Sequence, residues 1–240
     1  MSDLSTLGHQ DNRLLAALPR EMFERMGRDL KQITFAQGRA IYEPGDEIDQ
    51  IYFPQSGMIS LLVVGKDGGA IETATIGREG AVGLHSADGK RLSFTRATTQ
   101  IPGRFSVIRA TAFVQAAQGN AQVRELIARY TEILWAEAQQ VAACNAVHDA
   151  PARLCRWLLQ SADRAGSDHI PLTQDLIAEM LGVRRTTVTL LAQSLQRRGL
   201  IKYARGHIEI LDREQLEHCA CECYAIIKHE TLPLKIGVRF

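Results

Sequence analysis

The spacing of hydrophobic residues in positions 172–205 predicts two short helices joined by a tight turn. Thr173 is a suitable N-cap for the first helix, Gly182 breaks it, and the second helix is predicted to end at Gly199. The positions predicted to face inward are Leu176, Ile177, Met180, Leu181, Val188, Leu191 and Leu195, with Leu190 as a further candidate. Two short strands turning at Arg205 and Gly206 follow, so the segment is predicted to be a helix-turn-helix with a β-wing.

The first 119 residues are predicted to form a β-barrel, specifically a jelly roll, preceded by one short helix. An amphipathic pattern over residues 14–30 predicts this helix, with Pro19 in mid-course. Short apolar runs separated by Gly-bearing turns then follow at regular intervals, which is typical of a barrel or sandwich. The predicted strands cover residues 33–35, 40–42, 50–53, 58–64, 70–76, 94–100 and 105–108.

A long amphipathic helix is predicted between the barrel and the helix-turn-helix. No Gly or Pro interrupts residues 121–150. One apolar stripe along this helix consists of Val123, Leu126, Ile127, Tyr130, Ile133, Leu134 and Val141. Such a stripe needs a partner, which is either the chain's own barrel or the same helix of a second chain. We favour a homodimer, because paired helix-turn-helix units need two-fold symmetry to reach adjacent major grooves.

These elements predict an α+β chain of three parts and a tail. Residues 1–119 form the barrel, residues 120–150 the dimerisation helix and residues 151–230 the DNA-binding domain, while residues 231–240 show no clear pattern. Within the DNA-binding domain, a first helix is predicted over residues 153–165. A last helix, capped by Asp212, is predicted over residues 213–229.

Positive charge is concentrated in the helix-turn-helix. The whole chain has a formal net charge of +1, whereas residues 172–206 contain six Arg or Lys residues against only Asp175 and Glu179. A local basic surface of this kind is typical of proteins that bind double-stranded DNA. The alternative is a helical hairpin with a solvated basic face. The spacing, the turn glycine and the charge together favour DNA binding.

Composition and motifs restrict the class of protein further. The chain is 45% hydrophobic and 23% charged, contains no apolar run long enough to span a membrane, and begins without the features of a secretory signal. Five cysteines are an odd number, which disfavours a secreted disulfide framework and fits a reducing cytoplasm. No nucleophile elbow, phosphate-binding loop or zinc-protease motif occurs, so neither an enzyme nor a cofactor is predicted.

Three cysteines crowd the end of the DNA-binding domain. The run from His218 through Cys219 and Cys221 to Cys223 offers three thiolates and an imidazole, which are ligands that zinc accepts. This run is predicted to be helical, however, and residues two apart on a helix point in nearly opposite directions. Since only Cys219 and Cys223 would then share a face, we favour a packing role and predict no metal site.

The order of barrel, long helix and winged helix-turn-helix resembles the CRP/FNR superfamily, the relatives of the cyclic-AMP receptor protein and the fumarate-nitrate regulator. In the barrel the resemblance is carried by residues 44–46 (PGD), residues 51–53 (IYF) and Gly57. In the C-terminal part it is carried by residues 172–201, which look like the family's recognition unit. The resemblance implies a dimeric regulator that binds an inverted repeat in double-stranded DNA, with RNA polymerase as a candidate partner.

The resemblance places the second helix of the helix-turn-helix in the major groove, with Arg185 as the main base reader. Arg184 and Thr187 are expected on phosphate or sugar, and Thr186 and Thr189 on base edges or thymine methyls. The full set of predicted DNA contacts is Thr173, Arg184, Arg185, Thr186, Thr187, Thr189, Gln193, Arg205 and His207. Thr186 stands where many members carry Glu, and Leu190 stands where many carry Arg, which implies a different operator.

The segment that holds a cyclic nucleotide in relatives is altered here. A Gly-Glu pair that accepts the ribose hydroxyl becomes Gly77-Arg78, with Glu79 one place late, and Arg91 aligns with the phosphate-binding arginine only after an insertion. Shifting a residue by one place on a strand moves its side chain to the other face. We therefore favour an unknown effector, or none. The alternatives are a nucleotide bound by Arg78, Glu79 and Arg91, or redox or metal chemistry at Cys219–Cys223.

Two other sensors known in relatives are not favoured. No cysteine occurs before Cys144, so the N-terminal ligands of the family's iron–sulfur cluster are missing. Haem would need a histidine in a suitable setting, and His9, His85 and His148 are isolated in the sequence.

Overall fold

A computed structural model describes residues 9–66, 68–84 and 92–231, and its N-terminal part is a barrel of two antiparallel sheets. One sheet has the strand order β1-β7-β3 and the other β2-β6-β4-β5. Their strands are β1 Lys31–Phe35, β2 Ala40–Tyr42, β3 Gln50–Pro54, β4 Met58–Val64, β5 Ala70–Ile76, β6 Arg96–Ile101 and β7 Gly103–Arg109. Phe105 of β7 and Ile59 of β4 belong to the core between the sheets. The predicted barrel is confirmed.

The helical segment before the barrel is two helices, α1 Arg13–Ala16 and α2 Arg20–Met26, and the prediction of one helix over residues 14–30 is wrong. Pro19 lies at the break and occupies the N-cap position of α2. Its ring fixes φ and it has no N–H, so it is tolerated at a helix start and not in a helix interior. Both helices bury apolar side chains against the barrel, among them Leu14 and Phe23.

The long helix is α4 Ala121–Val147, which follows α3 Ala110–Ala117. Asn120 caps α4 by accepting a hydrogen bond from the Val123 amide at 3.2 Å. Much of the apolar stripe of this helix, which was predicted to pair with a second chain, packs on the chain's own barrel instead. Val123, Leu126 and Tyr130 are buried in one core with α1, α2 and α3, and the Tyr130 hydroxyl donates to the Ala81 carbonyl at 2.8 Å.

The remaining residues of that predicted stripe are buried or half-buried. Val141 is buried, and Ile127, Ile133 and Leu134 are half-buried. Ile127 and Leu134 pack against the barrel cores. The stripe therefore fits the alternative in which the long helix packs on its own barrel.

The C-terminal part is a winged helix-turn-helix. Its helices are α5 Ala150–Ala165, α6 Gln174–Leu181 and α7 Arg185–Arg197, and its wing strands are β9 Ile201–Ala204 and β10 His207–Ile210. A short strand that the sequence did not predict, β8 His169–Pro171, completes a sheet of order β8-β10-β9. Asp149 caps α5, and Gly166 ends it in the left-handed conformation at φ 68°.

The predicted last helix over residues 213–229 is wrong, because the chain forms α8 Arg213–Cys219 and α9 Cys223–Thr231 with a break between them. Ala220 at the break has extended backbone angles, φ −77° and ψ 153°. Cys221 lies at this break and Cys223 begins the helix after it, and both side chains are buried.

The barrel and the DNA-binding domain share one hydrophobic core. Met58 and Leu62 of β4 pack in the same cluster as Trp157 and Leu158 of α5. The fully buried Trp157 is the largest side chain of this cluster. The two domains are therefore docked through an apolar interface in addition to their covalent link. Within the described residues, no helix combines the length and the apolar character that a membrane span requires.

Candidate nucleic-acid interface

The turn between α6 and α7 is fixed by local hydrogen bonds. The Thr173 hydroxyl accepts from the Leu176 amide at 3.3 Å and so caps α6. Gly182 has φ 63°, and its amide donates to the Glu179 carbonyl at 3.2 Å. A left-handed residue closes a helix end in this way, and glycine adopts it without steric cost. The half-buried Thr173 therefore fixes the start of the first helix of the helix-turn-helix.

The first turn of α7 presents polar side chains to solvent. Arg184 at the N-cap position, Arg185 and Thr186 are exposed, whereas Thr187 is half-buried. Arg185 forms an ion pair with Asp175 of α6 at 3.1 Å, and both side chains are 65% exposed. An exposed pair of this kind contributes little to stability and can be exchanged for a base or a phosphate.

The Thr189 hydroxyl is engaged within the protein. Its Oγ1 lies 2.8 Å from Gln174 Oε1 and 3.1 Å from the Arg185 carbonyl. Bonding to the preceding turn is common for a threonine inside a helix. Thr189 therefore holds the Gln174 side chain, which sequence reasoning missed. The signal that could have found Gln174 is its place directly after the cap residue of α6.

Leu190 faces solvent, and the suggestion that it points inward is wrong. Its side chain is 66% exposed, whereas Val188 and Leu195 of the same helix are buried. Leu190 lies one turn after the exposed Thr186, so the two share a face of α7. Gln193, in the next turn of the helix, is also exposed.

The wing ends in a two-residue turn. Arg205 and Gly206 have φ values of 51° and 77° and connect the paired residues Ala204 and His207. Positive φ at both turn positions matches the right-handed twist of the flanking strands. Arg205 and His207 are both exposed at this tip.

Glu79, predicted as an effector ligand, is bound within the protein. Its Oε1 accepts from the Gly77 amide at 2.8 Å and from Arg164 Nε of α5 at 2.9 Å. Arg78 is half-buried, and its carbonyl accepts from the Arg13 amide at 2.7 Å. Arg91 lies outside the described residues.

The described part of the barrel interior leaves little space for a small-molecule ligand. A cavity of about 30 Å³ remains there, and Tyr42, Ile76 and Leu134 are among its lining residues. A cavity of this size holds one or two waters, whereas small-molecule sites occupy roughly 300–1,000 Å³.

Two buried acidic side chains connect the barrel and the long helix to α5. Trp157 Nε1 donates to Glu72 Oε1 at 2.7 Å, and burial raises the pKa of Glu72 to about 7. Glu137 of α4 accepts from Arg164 Nη2 at 2.8 and 2.9 Å. Burial raises the pKa of Glu137, whereas the Arg164 guanidinium acts in the opposite direction. Arg164 thus joins Glu79 of the barrel, Glu137 of the long helix and the DNA-binding domain.

Three of the five cysteines lie together, whereas Cys155 is buried in the core with Trp157 and Cys219 stands elsewhere. Cys221 and Cys223 lie with Cys144 and His148, and the four ligand atoms are within 4.8 Å of one another. Cys219 lies apart and accepts a hydrogen bond from Arg198 at 2.9 Å, while His218 Nδ1 lies 2.8 Å from the Glu214 carbonyl.

The prediction of no metal site assumed an unbroken last helix, and the break at Ala220 removes that geometric basis. Sequence reasoning missed Cys144 and His148 as members of the cluster. The available signal was their spacing of four on the predicted long helix, which places both on one face.

Two family models match the chain. The model of the Crp-like helix-turn-helix domain matches residues 152–219, and the model of the cyclic nucleotide-binding domain matches residues 32–120. A search of the curated proteins finds no match.

Solved structures with the same architecture include three regulators. FixK2 from Bradyrhizobium japonicum has a TM-score of 0.68 at 18% identity, covering 80% of this chain and 98% of that one. A CRP-family transcriptional regulator from Thermus thermophilus has a TM-score of 0.64 at 23% identity, covering 79% and 96%. The c-di-GMP responsive global regulator CLP from Xanthomonas campestris has a TM-score of 0.64 at 15% identity, covering 79% and 97%.

At these identities the likeness shows the fold. The two domain models add the evidence from sequence, and they occur in the same order as the barrel and the helix-turn-helix described above. The chain belongs to the CRP/FNR superfamily of transcription regulators.

Proposed function

We propose that this regulator acts as a homodimer that reads an inverted-repeat operator with α7. The observation that carries the proposal is the first turn of that helix. Val188 and Leu195 are buried and anchor α7, while Arg184, Arg185 and Thr186 are exposed beside the turn. In a helix-turn-helix, these N-terminal positions of the second helix contact base edges.

The side chains of α7 divide between reading bases and holding the backbone. Arg185 reads a guanine, since a guanidinium can donate two hydrogen bonds to its O6 and N7. Thr186 and the exposed Leu190 form a small, largely apolar face that suits a thymine methyl group. Thr189 acts by orienting Gln174, whose amide is then available to a phosphate or an adenine.

Phosphate contacts flank the base readers. Arg184, Thr187 and Gln193 fix the register of α7, and the wing tip with Arg205 and His207 holds a second stretch of backbone. Contacts to phosphate add affinity for every sequence and make binding depend on salt.

Dimerisation uses a face of α4 other than the one first predicted. Along this helix a stripe of small residues and one tryptophan is open to solvent: Ala128, Thr131, Trp135 and Ala142 are exposed, and Ala138 is half-buried. These positions alternate in steps of three and four, which is the spacing of a coiled-coil seam. Trp135 is 65% exposed, and a second copy of the chain is the occupant that gives the helix-turn-helix its two-fold partner.

Control by cyclic AMP is not part of the proposal. The Glu79 carboxylate already accepts hydrogen bonds from the Gly77 amide and the Arg164 guanidinium. The cavity in the described part of the barrel interior has room for one or two waters. A cyclic phosphodiester would also need a cationic partner and hydrogen-bond donors inside the barrel. We therefore favour an effector other than cyclic AMP, or none.

Selection of binding sites from random double-stranded DNA by the purified chain tests the proposal. The expected result is one half-site that occurs twice in inverted orientation, with centres about one helical turn apart, roughly 10 base pairs. A variant with both Arg184→Ala and Arg185→Ala is the control and should enrich no sequence. A single asymmetric site, or equal enrichment by the control, contradicts the assignment of α7 and of the dimer.

A further inference from the structure

A compact cluster of three cysteines and a histidine lies where the long helix α4 ends. Cys144 is in the last turn of α4 and His148 is its C-cap residue, so their spacing of four places both on one face. Cys221 lies at the break between α8 and α9, and Cys223 begins α9. The two pairs are more than 70 residues apart in the chain and meet only because α9 packs on α4.

The distances in this cluster match the edges of a tetrahedral zinc site. Cys144 Sγ lies 3.5 Å from Cys221 Sγ, and Cys223 Sγ lies 3.6 Å from His148 Nδ1. With Zn–S bonds of about 2.3 Å and Zn–N bonds of about 2.0–2.1 Å, the edges of a tetrahedron measure about 3.5–3.8 Å. Two of the six edges of the cluster therefore have the length that zinc requires, and all four ligand atoms lie within 4.8 Å of one another.

The second ring nitrogen of His148 has the partner expected of a metal ligand. His148 Nε2 lies 3.1 Å from a carboxylate oxygen of Glu222, while Nδ1 faces the sulfurs. A histidine that binds zinc commonly donates its other N–H to a carboxylate, which fixes the ring and its tautomer. Glu222 stands between the two cysteine ligands in the sequence, so the same short segment supplies both.

The sulfur atoms of the cluster are shielded from solvent. Cys144, Cys221 and Cys223 are all buried, and Gln140 Nε2 donates to Cys223 Sγ at 3.0 Å. A thiolate is the form of cysteine that binds metal. Four protein ligands with three buried sulfurs are typical of a closed, structural zinc site.

We propose that Cys144, His148, Cys221 and Cys223 bind one Zn²⁺ ion that fastens α9 to the end of α4. Binding releases the thiol protons of the three cysteines to solvent and involves no change in oxidation state. The site lies directly before Asp149, the cap of α5, where the long helix meets the DNA-binding domain. Zinc there fixes the direction in which the DNA-binding domain leaves the long helix.

Metal analysis of the full chain, purified without chelators, tests the proposal. Inductively coupled plasma mass spectrometry should find about one zinc per chain in the wild type and in the control Cys219→Ser, which removes the neighbouring cysteine outside the cluster. Cys144→Ser and Cys223→Ser should lose the zinc. A wild type without stoichiometric zinc, a different metal at that stoichiometry, or a Cys144–Cys221 disulfide overturns the assignment.

A milder variant keeps the test valid if the cysteine variants fail to fold. Glu222→Gln leaves all four ligands in place and removes the carboxylate behind His148, so zinc affinity measured by chelator competition should fall about 10- to 100-fold. Cobalt-substituted wild type should show the absorption bands of thiolate-to-cobalt charge transfer. Unchanged affinity in Glu222→Gln contradicts the role of Glu222, and the absence of these bands contradicts thiolate ligation.

Discussion

Replacing Glu72 by glutamine should change how the stability of the protein depends on pH. Glu72 of β5 is fully buried between the barrel and α5, and it accepts hydrogen bonds from Trp157 Nε1 and the Ser60 hydroxyl, both at 2.7 Å. These two bonds favour the charged carboxylate, but the loss of water outweighs them and raises the pKa from 4.5 to about 7. Glutamine has the same shape, is never charged, and can still accept from Trp157.

The sign of the effect follows from the order of the two pKa values. In the unfolded chain Glu72 loses its proton near pH 4.5, whereas in the folded protein it keeps the proton until about pH 7. The folded state therefore binds more protons between these values, and the free energy of unfolding falls as the pH rises through this window. A shift of about 2.5 units corresponds to about 3 kcal/mol, which is fully lost above pH 7.

Urea denaturation of wild type and Glu72→Gln at several pH values between 4.5 and 8 measures this contribution. The variant should gain about 3 kcal/mol relative to wild type between the two ends of the window. Glu24→Gln, which removes a carboxylate that is 61% exposed, is the matched control for the loss of one acidic side chain. A difference between Glu72→Gln and wild type that stays constant across this pH range would refute the reasoning, since burial would then not hold the proton on Glu72 in the folded protein.

Three further predictions concern DNA binding, assembly and domain docking. In fluorescence anisotropy titrations, Arg185→Ala should reduce the free energy of binding to the selected operator by about 1–3 kcal/mol and relax the preference at one base pair. Arg205→Asn keeps the wing turn, and it should lower the affinity for all DNA sequences alike and reduce the slope of the salt dependence by about one. Sedimentation velocity should show that Trp135→Ala shifts the chain toward monomer, and an equal shift in Val63→Ala, an exposed apolar residue of the barrel, would remove the special role of Trp135. Arg164→Leu leaves the buried Glu137 and the half-buried Glu79 without their cation, so the free energy of unfolding in urea should fall by about 3–5 kcal/mol. A loss below about 1 kcal/mol would contradict the importance of this ion pair.

The helix-turn-helix could be predicted because its signals are local. Thr173 caps α6 and Gly182 ends it through backbone preferences that operate within a few residues. The wing turn at Arg205 and Gly206 likewise follows from residues adjacent in the chain. The strands of the barrel were predicted for the same reason, since alternating apolar positions and turn glycines specify them segment by segment.

What the sequence did not predict depends on contacts between distant segments. The stripe containing Val123 and Tyr130 has the same spacing whether it packs on a barrel or on a second chain, so periodicity alone could not choose between them. The cysteine cluster was missed because Cys144 and Cys221 are 77 residues apart and because the helix break at Ala220 has no glycine or proline to signal it.

The long helix α4 connects all three regions that a signal would have to cross. Its first half is buried in the barrel core through Tyr130, its middle holds Arg164 of the DNA-binding domain through Glu137, and its end supplies Cys144 and His148. A rotation or shift of α4 relative to the barrel would therefore break the Arg164–Glu137 pair unless α5 moved with it. Because an unpaired buried charge is costly, the DNA-binding domain is expected to follow the helix as a unit. Under the proposed function, a change in the packing of α4 against the barrel would reach α5 through Arg164, and the proposed zinc ion at His148 would pass the same movement on to α9.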